Sequence, residues 1–237
     1  MSETAALGEF PRRRRASLTG LALALVLPAV LSVGAPGEMP ADTSATQSII
    51  INEVAIWTLT LAVMGVVLFW ERRSLSSIGL RRPFWPAIGM GVALTGGLMA
   101  LAMVTAAIVQ LAGFGGGDDE GQAQIIMSLP FWLQPVVVLS AGFTEEVLFR
   151  GYAIERMTEL TGNRWLGAIV PIFIFGAIHA PFWGVGHAVV AGMTGVWLTL
   201  IYMWRRNLWT NITAHALLDG LVFFAMDVAT ATGTTTV

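Results

Sequence analysis

Seven stretches of this chain are each about twenty mostly apolar residues long, the length a helix needs to cross a bilayer core of roughly 30 Å. They run over Ala16–Val33, Ile49–Trp70, Trp85–Ala112, Leu129–Phe149, Trp165–Trp183, Ala188–Trp204 and Leu208–Ala225. No strict two-residue alternation passes through them, which argues against a transmembrane β-barrel. The pattern predicts an all-α, polytopic transmembrane helical bundle. Composition agrees, because only 12% of the 237 residues are charged, about half the share of an ordinary soluble domain. A soluble enzyme, a disordered chain and a nucleic-acid binder are thereby excluded. The absence of cysteine removes disulfides, a thiol nucleophile and any Cys-ligated metal site.

Arginine placement tests the span count. All 13 basic residues are arginine. They fall at Arg12–Arg15, at Arg72, Arg73, Arg81 and Arg82, at Arg150, Arg156 and Arg164, and at Arg205 and Arg206, which is one side of a seven-span arrangement. Glu38, Asp42, Asp118, Asp119, Glu120 and Asp227 fall on the other. The positive-inside rule then puts the N-terminus in the cytoplasm, as expected for an integral protein of a bacterial plasma membrane. Four arginines, an apolar run and small residues near Gly34-Ala35 also fit a signal peptide. An uncleaved anchor is the preferred reading, and cleavage would leave six spans. The loop Gly113–Gln122 is glycine-rich and acidic and reads as a flexible connector. The expected division is a variable part over 1–128, a helical core over 129–229 and a short polar tail over 230–237.

Ionisable groups inside a membrane are costly and mark function by default. The second half of the chain gathers them: Glu145, Glu146 and Arg150 on the fourth segment, His179 on the fifth, and His215 and Asp219 on the seventh. Helical periodicity carries the fourth segment past Arg150 to Leu160. Glu146 and Arg150 are spaced i, i+4 with the acid first, the favourable order for a helical pair. Glu145 lies about 100° around the helix, has no partner at that spacing, and stays available as a base. Asn211, His215 and Asp219 are spaced by four and form one polar stripe, on which Asp219 can fix the tautomer of His215. At about 1.5 Å per residue, Glu145 and His179 lie about 28 and 22 Å from the Arg164 loop, and His215 about 13 Å from Arg206. A shared site therefore requires tilt or a kink, for example at Pro171. His187, beside Gly184 and Gly186, stands apart as an interfacial residue.

Zincin, serine and aspartyl intramembrane signatures are absent: there is no H-E-x-x-H, no G-x-S-x-G and no G-x-G-D. What is present, in order and on separate predicted helices, is E-E-x-x-x-R, F-x-x-x-H and H-x-x-x-D. This set resembles the CAAX-protease and bacteriocin-processing family (CPBP, also called Abi), which includes the type II CAAX prenyl endopeptidases. Glu145, Glu146, Arg150, Phe175, His179, His215 and Asp219 carry the resemblance, over about Leu129 to Phe224.

The resemblance implies an intramembrane endopeptidase acting on membrane-associated proteins or peptides. Glu145 and His179 would hold the attacking water, and His215 would donate to the developing oxyanion. Asp219 stands where prenyl endopeptidases carry asparagine. An ionised aspartate cannot donate a hydrogen bond, so Asp219 is expected to orient His215 or to act protonated. Glu146, Arg150, Phe175 and Asn211 are expected to support the site. In the alternative chemistry Glu145, His179 and His215 bind a divalent metal such as zinc, with water at an open position. The metal-free reading is preferred, because Glu145 cannot easily be both ligand and base. Two other functions share these residues: a non-catalytic immunity or assembly factor of the same family, and a proton-coupled transporter. The lack of internal repeats counts against the transporter.

Overall fold

The computed structural model describes residues 13–34, 44–82, 85–114, 125 and 128–231. Among them, seven long helices follow one another. They are α1 (Arg13–Val33), α2 (Ala45–Trp70), α3 (Trp85–Leu111), α4 (133–161), α5 (164–183), α6 (185–205) and α7 (Leu208–Ala231). A short 3₁₀ turn, Leu75–Ile78, lies between α2 and α3. Glu38, Asp42, Asp118, Asp119, Glu120, Arg12 and most of the acidic loop and polar tail lie outside the described residues, as does the Asp227 side chain.

Five helical segments are long and apolar enough to cross a membrane: α1, α2, α3, the run Arg164–Arg205, and Leu208–Met226. Two features separate this count from the expected seven. The first is α4, which carries too much charge to qualify. It begins at Leu133, passes through a π-helical stretch over Glu146–Ala153, and continues to Thr161. Every residue of that π stretch is buried. The helix is the axis of the bundle, so its charges face protein rather than lipid. Apolar residues of α1, α2, α5, α6 and α7 join it in one core that includes Leu25, Val63, Val67, Phe149, Phe175, Tyr202 and Leu208.

The second feature is the run Arg164–Arg205, which spans 42 residues but is broken at Gly184, where φ is 80° and ψ is 170°. Only glycine occupies that region without strain. A straight helix would hold Gly176 and Gly192 about 24 Å apart. Instead their backbones touch: a methyl group on Gly176 would sit 3.2 Å from the Gly192 Cα and 3.2 Å from the Ala188 carbonyl oxygen. The chain therefore folds back on itself, and α5 and α6 form a tight hairpin. The expected fifth and sixth segments are its two arms.

At the arginine-rich end a buried polar cluster ties α1 and α2 to α4. Glu71, 2% exposed, accepts from Ser17 Oγ at 3.0 Å, from Tyr152 Oη at 2.9 Å and from Arg156 Nε at 2.8 Å. Gly20 of α1 sits directly on the Tyr152 hydroxyl, with room for no side chain. Glu155 similarly links Tyr202 and Arg206. These contacts make α1 part of the packed bundle.

Candidate active site

The π stretch places the two adjacent glutamates in different environments. Glu146 is fully buried and saturated with donors. Its Oε1 accepts from Arg150 Nη1 at 2.9 Å and from His215 Nδ1 at 3.1 Å, and its Oε2 accepts from Asn211 Nδ2 at 3.0 Å. Asn211 also donates to the Leu198 carbonyl of α6 at 2.7 Å, so one amide joins α4, α6 and α7. The expected Glu146–Arg150 pair is present, with the two side chains 0% and 1% exposed. Glu145, one residue earlier, is 21% exposed and accepts no hydrogen bond among the described residues; its Oε2 lies 3.8 Å from His215 Nε2. Asp219 Oδ2 lies 3.5 Å from the same nitrogen, and its side chain is 30% exposed.

His215 meets carboxylates on both ring nitrogens. Asp219 lies beside Nε2, as the i, i+4 spacing on α7 leads one to expect, and the shorter contact is the hydrogen bond that Nδ1 donates to Glu146 across the helix interface. An ionised carboxylate only accepts, so Nδ1 carries a proton and Nε2 is turned toward Glu145 and Asp219. Spacing along α7 alone could not reveal this, because Glu146 lies on another helix.

His179 is fixed by its own helix. Its Nδ1 donates to the Phe175 carbonyl at 2.7 Å, which leaves Nε2 as an acceptor. The Phe175 ring holds the group together, standing 4.8 Å from the His179 ring and 6.3 Å from the His215 ring, centroid to centroid. The Arg150 guanidinium lies over its face at 4.0 Å, a favourable cation–π geometry. Gly195 of α6 makes room for this stack, since a methyl group there would come within 3.0 Å of Phe175 and 3.1 Å of Arg150 Nη2. The structure thus brings together Glu145, Glu146, Arg150, Phe175, His179, Asn211, His215 and Asp219, and it closes the depth offset the helix arithmetic left open.

Two neighbours were not foreseen. His187 does not stand apart: the hairpin stacks its ring 5.9 Å from that of His179 and 4.7 Å from Trp183. The signal was the glycine pair flanking it, which permits the chain reversal. Glu53, inside α2, reaches the site from the N-terminal half. It lies beside the Ser140 hydroxyl and close enough to Glu145 for the two charges to interact. The rule that flagged Glu145 also applied to this lone carboxylate in an apolar span.

Residues 127–221 match the family described as type II CAAX prenyl endopeptidase Rce1-like. Over this stretch the chain is similar to the CAAX-protease family. The Rce1-like stretch covers all eight expected site residues and leaves Glu53 outside it. The family implies peptidase activity in general. No curated protein and no solved structure matches the chain.

The alternative metal site was tested on the donors themselves. Among the described residues, no group of three His, Cys, Asp or Glu side chains converges to hold a metal ion. His215 Nδ1 is held by Glu146 and His179 Nδ1 by a backbone carbonyl, which leaves the two Nε2 atoms as the donors a metal could use. As they stand, Glu145, His179 and His215 do not converge as a ligand set among the described residues, and no chemical step is derived through one.

Proposed function

We propose that this protein is an intramembrane endopeptidase that hydrolyses peptide bonds of membrane-associated proteins or peptides with a water activated by Glu145. The observation that carries the reading is the contrast between the two glutamates. Glu146 is buried and saturated, whereas Glu145 is partly open and faces His215 Nε2 across 3.8 Å. A carboxylate without hydrogen-bond donors in a poorly hydrated setting is suited to take a proton.

In this reading one water hydrogen points to Glu145 and the other to the free Nε2 of His179. Glu145 takes the proton as the water oxygen attacks the scissile carbonyl. His215 faces acceptors on both ring nitrogens, so a doubly protonated ring satisfies them all, and its Nε2–H is the donor for the developing oxyanion. Glu145 then returns its proton to the departing amine, and the carbon–nitrogen bond breaks. Asp219 flanks His215 Nε2 and holds it on the cavity side. The seven-crossing arrangement with a cytoplasmic N-terminus belongs to the same proposal. The hairpin arms support it, each being close to the roughly 30 Å needed to span.

The test is cleavage of a quenched fluorescent peptide library by the purified protein in liposomes. Wild type should cleave, and Glu145→Gln should lose at least about 100-fold, the scale of general-base catalysis. Cleavage by a folded Glu145→Gln at the wild-type rate would refute the assignment.

A further inference from the structure

Among the described residues, Glu53 is the carboxylate that reaches this site from outside the Rce1-like stretch. It lies within α2, whose sequence is otherwise apolar through Trp70 apart from scattered neutral polar residues. A carboxylate at such a place costs several kcal/mol unless something satisfies it. The structure satisfies it only in part. The Ser140 hydroxyl lies beside it, and Ser140 Oγ accepts from Trp57 Nε1 at 2.8 Å. Trp57 stacks on Phe143 at 5.4 Å with the rings 14° apart. This clamp fixes Glu53 against α4 between one and two turns before Glu145. Its second oxygen, Oε2, is buried and has no hydrogen-bond partner among the described residues.

The missing donor cannot come from the groups nearest to Glu53. Glu145 is itself an acceptor, Ser140 Oγ already accepts from Trp57 Nε1, and the Arg150 guanidinium binds Glu146 through Nη1 and lies over the Phe175 ring, its Nη2 reaching no acceptor, Glu53 included. Among the described residues no donor reaches Oε2, which leaves that place open to a donor carried by a bound molecule. A cationic donor gains more here than a neutral one, because charge-assisted hydrogen bonds strengthen where water is scarce.

We infer that Glu53 is a substrate-binding carboxylate, and that it receives a basic side chain of the bound peptide close to the scissile bond. The inference rests on the peptidase reading and deepens it by naming a specificity. α2 then forms one wall of the substrate cleft, opposite the α5–α6 hairpin that carries His179.

The experiment compares peptide pairs that differ only by arginine or citrulline at successive positions, with the full-length protein in liposomes. Wild type should prefer the arginine peptide at one position by at least tenfold in kcat/KM. Glu53→Gln should reduce that preference to within twofold, chiefly through the KM of the arginine peptide. Glu53→Asp, which keeps the charge, should recover part of it. Equal losses on both peptides, or no preference in wild type, would mean that water or a proton satisfies Glu53, and would overturn the inference. If wild type cleaves no peptide, the peptidase reading fails. Binding of the same labelled pairs, measured by anisotropy in a Glu145→Gln background with and without Glu53→Gln, then decides the inference separately. At least tenfold tighter binding of the arginine peptide that depends on Glu53 supports it; equal or absent binding overturns it.

Discussion

Glu146→Gln separates the structural carboxylate from the chemical one. The substitution keeps one oxygen for Arg150 and His215 but turns the Oε2 position into an amide donor, which then faces the donor Nδ2 of Asn211 across 3.0 Å. It also leaves the Arg150 guanidinium, 1% exposed, without a counter-charge. Removing one partner of a buried pair costs about 3–5 kcal/mol, a large part of the roughly 5–15 kcal/mol that holds a domain folded. At about 2–4 °C per kcal/mol for a chain of this size, the melting temperature in detergent should fall by about 6–20 °C. Glu145→Gln removes a partly open carboxylate that accepts no hydrogen bond, so its stability should stay within about 1 kcal/mol of wild type. The assay is intrinsic tryptophan fluorescence against temperature, run beside peptide cleavage. Combining Glu146→Gln with Arg150→Met should restore roughly half of the lost stability, because the orphaned charge leaves with its partner. The reasoning is refuted if Glu146→Gln melts with wild type. It is also refuted if Glu146→Gln abolishes cleavage in a stable protein while Glu145→Gln does not.

Further expectations follow from single contacts. Gly184→Ala forces a side chain into a backbone region that only glycine occupies freely, at about 1–3 kcal/mol; cleavage should fall further than stability as His179 shifts, and unchanged turnover would contradict the hairpin's role. Gly20→Leu drives a side chain into the Tyr152 hydroxyl and should destabilise the bundle by about 1–3 kcal/mol or more, seen as a lower melting temperature; a neutral result would mean α1 is not packed here. Glu71→Gln strips a buried acceptor from Arg156, Tyr152 and Ser17 and should cost about 3–5 kcal/mol while leaving the KM of the surviving folded fraction unchanged. Incubation with a chelator should leave cleavage unaltered, since Glu145, His179 and His215 do not converge as ligands; loss on chelation with recovery on adding zinc would reverse that assignment.

What the sequence made legible was whatever one helix holds on its own face. The Glu146–Arg150 pair, the Phe175–His179 turn and the Asn211–His215–Asp219 stripe are all i, i+4 relations, and all three stand in the structure along single helices. What remained hidden depends on how one helix is turned toward another. The partner of His215 Nδ1 is Glu146, 69 residues away. The Glu53–Ser140 approach joins α2 to α4 with no local signature in either. The reversal at Gly184 moves His187 onto His179, and only a backbone angle, not a hydropathy pattern, distinguishes that bend from a continuous helix.

The same separation explains how a charged helix can sit at the centre of a membrane bundle. The groups that cannot move, Glu146, Arg150, Asn211 and His215, are 0–5% exposed and bonded to one another across two helices, with Asn211 also donating to a third. Most of their polar atoms are paired internally, Arg150 Nη2 and Asn211 Oδ1 being left without a partner among the described residues, and this pairing makes the charges tolerable away from water. Glu145 and Asp219 stand on the rim of this buried floor and keep 21% and 30% of their side chains open. An active group must remain unsatisfied until substrate arrives, and a rim around a saturated floor is where the bundle can hold one without losing its fold. Any substitution that opens the floor should therefore lower stability and turnover together, whereas one on the rim should lower turnover alone.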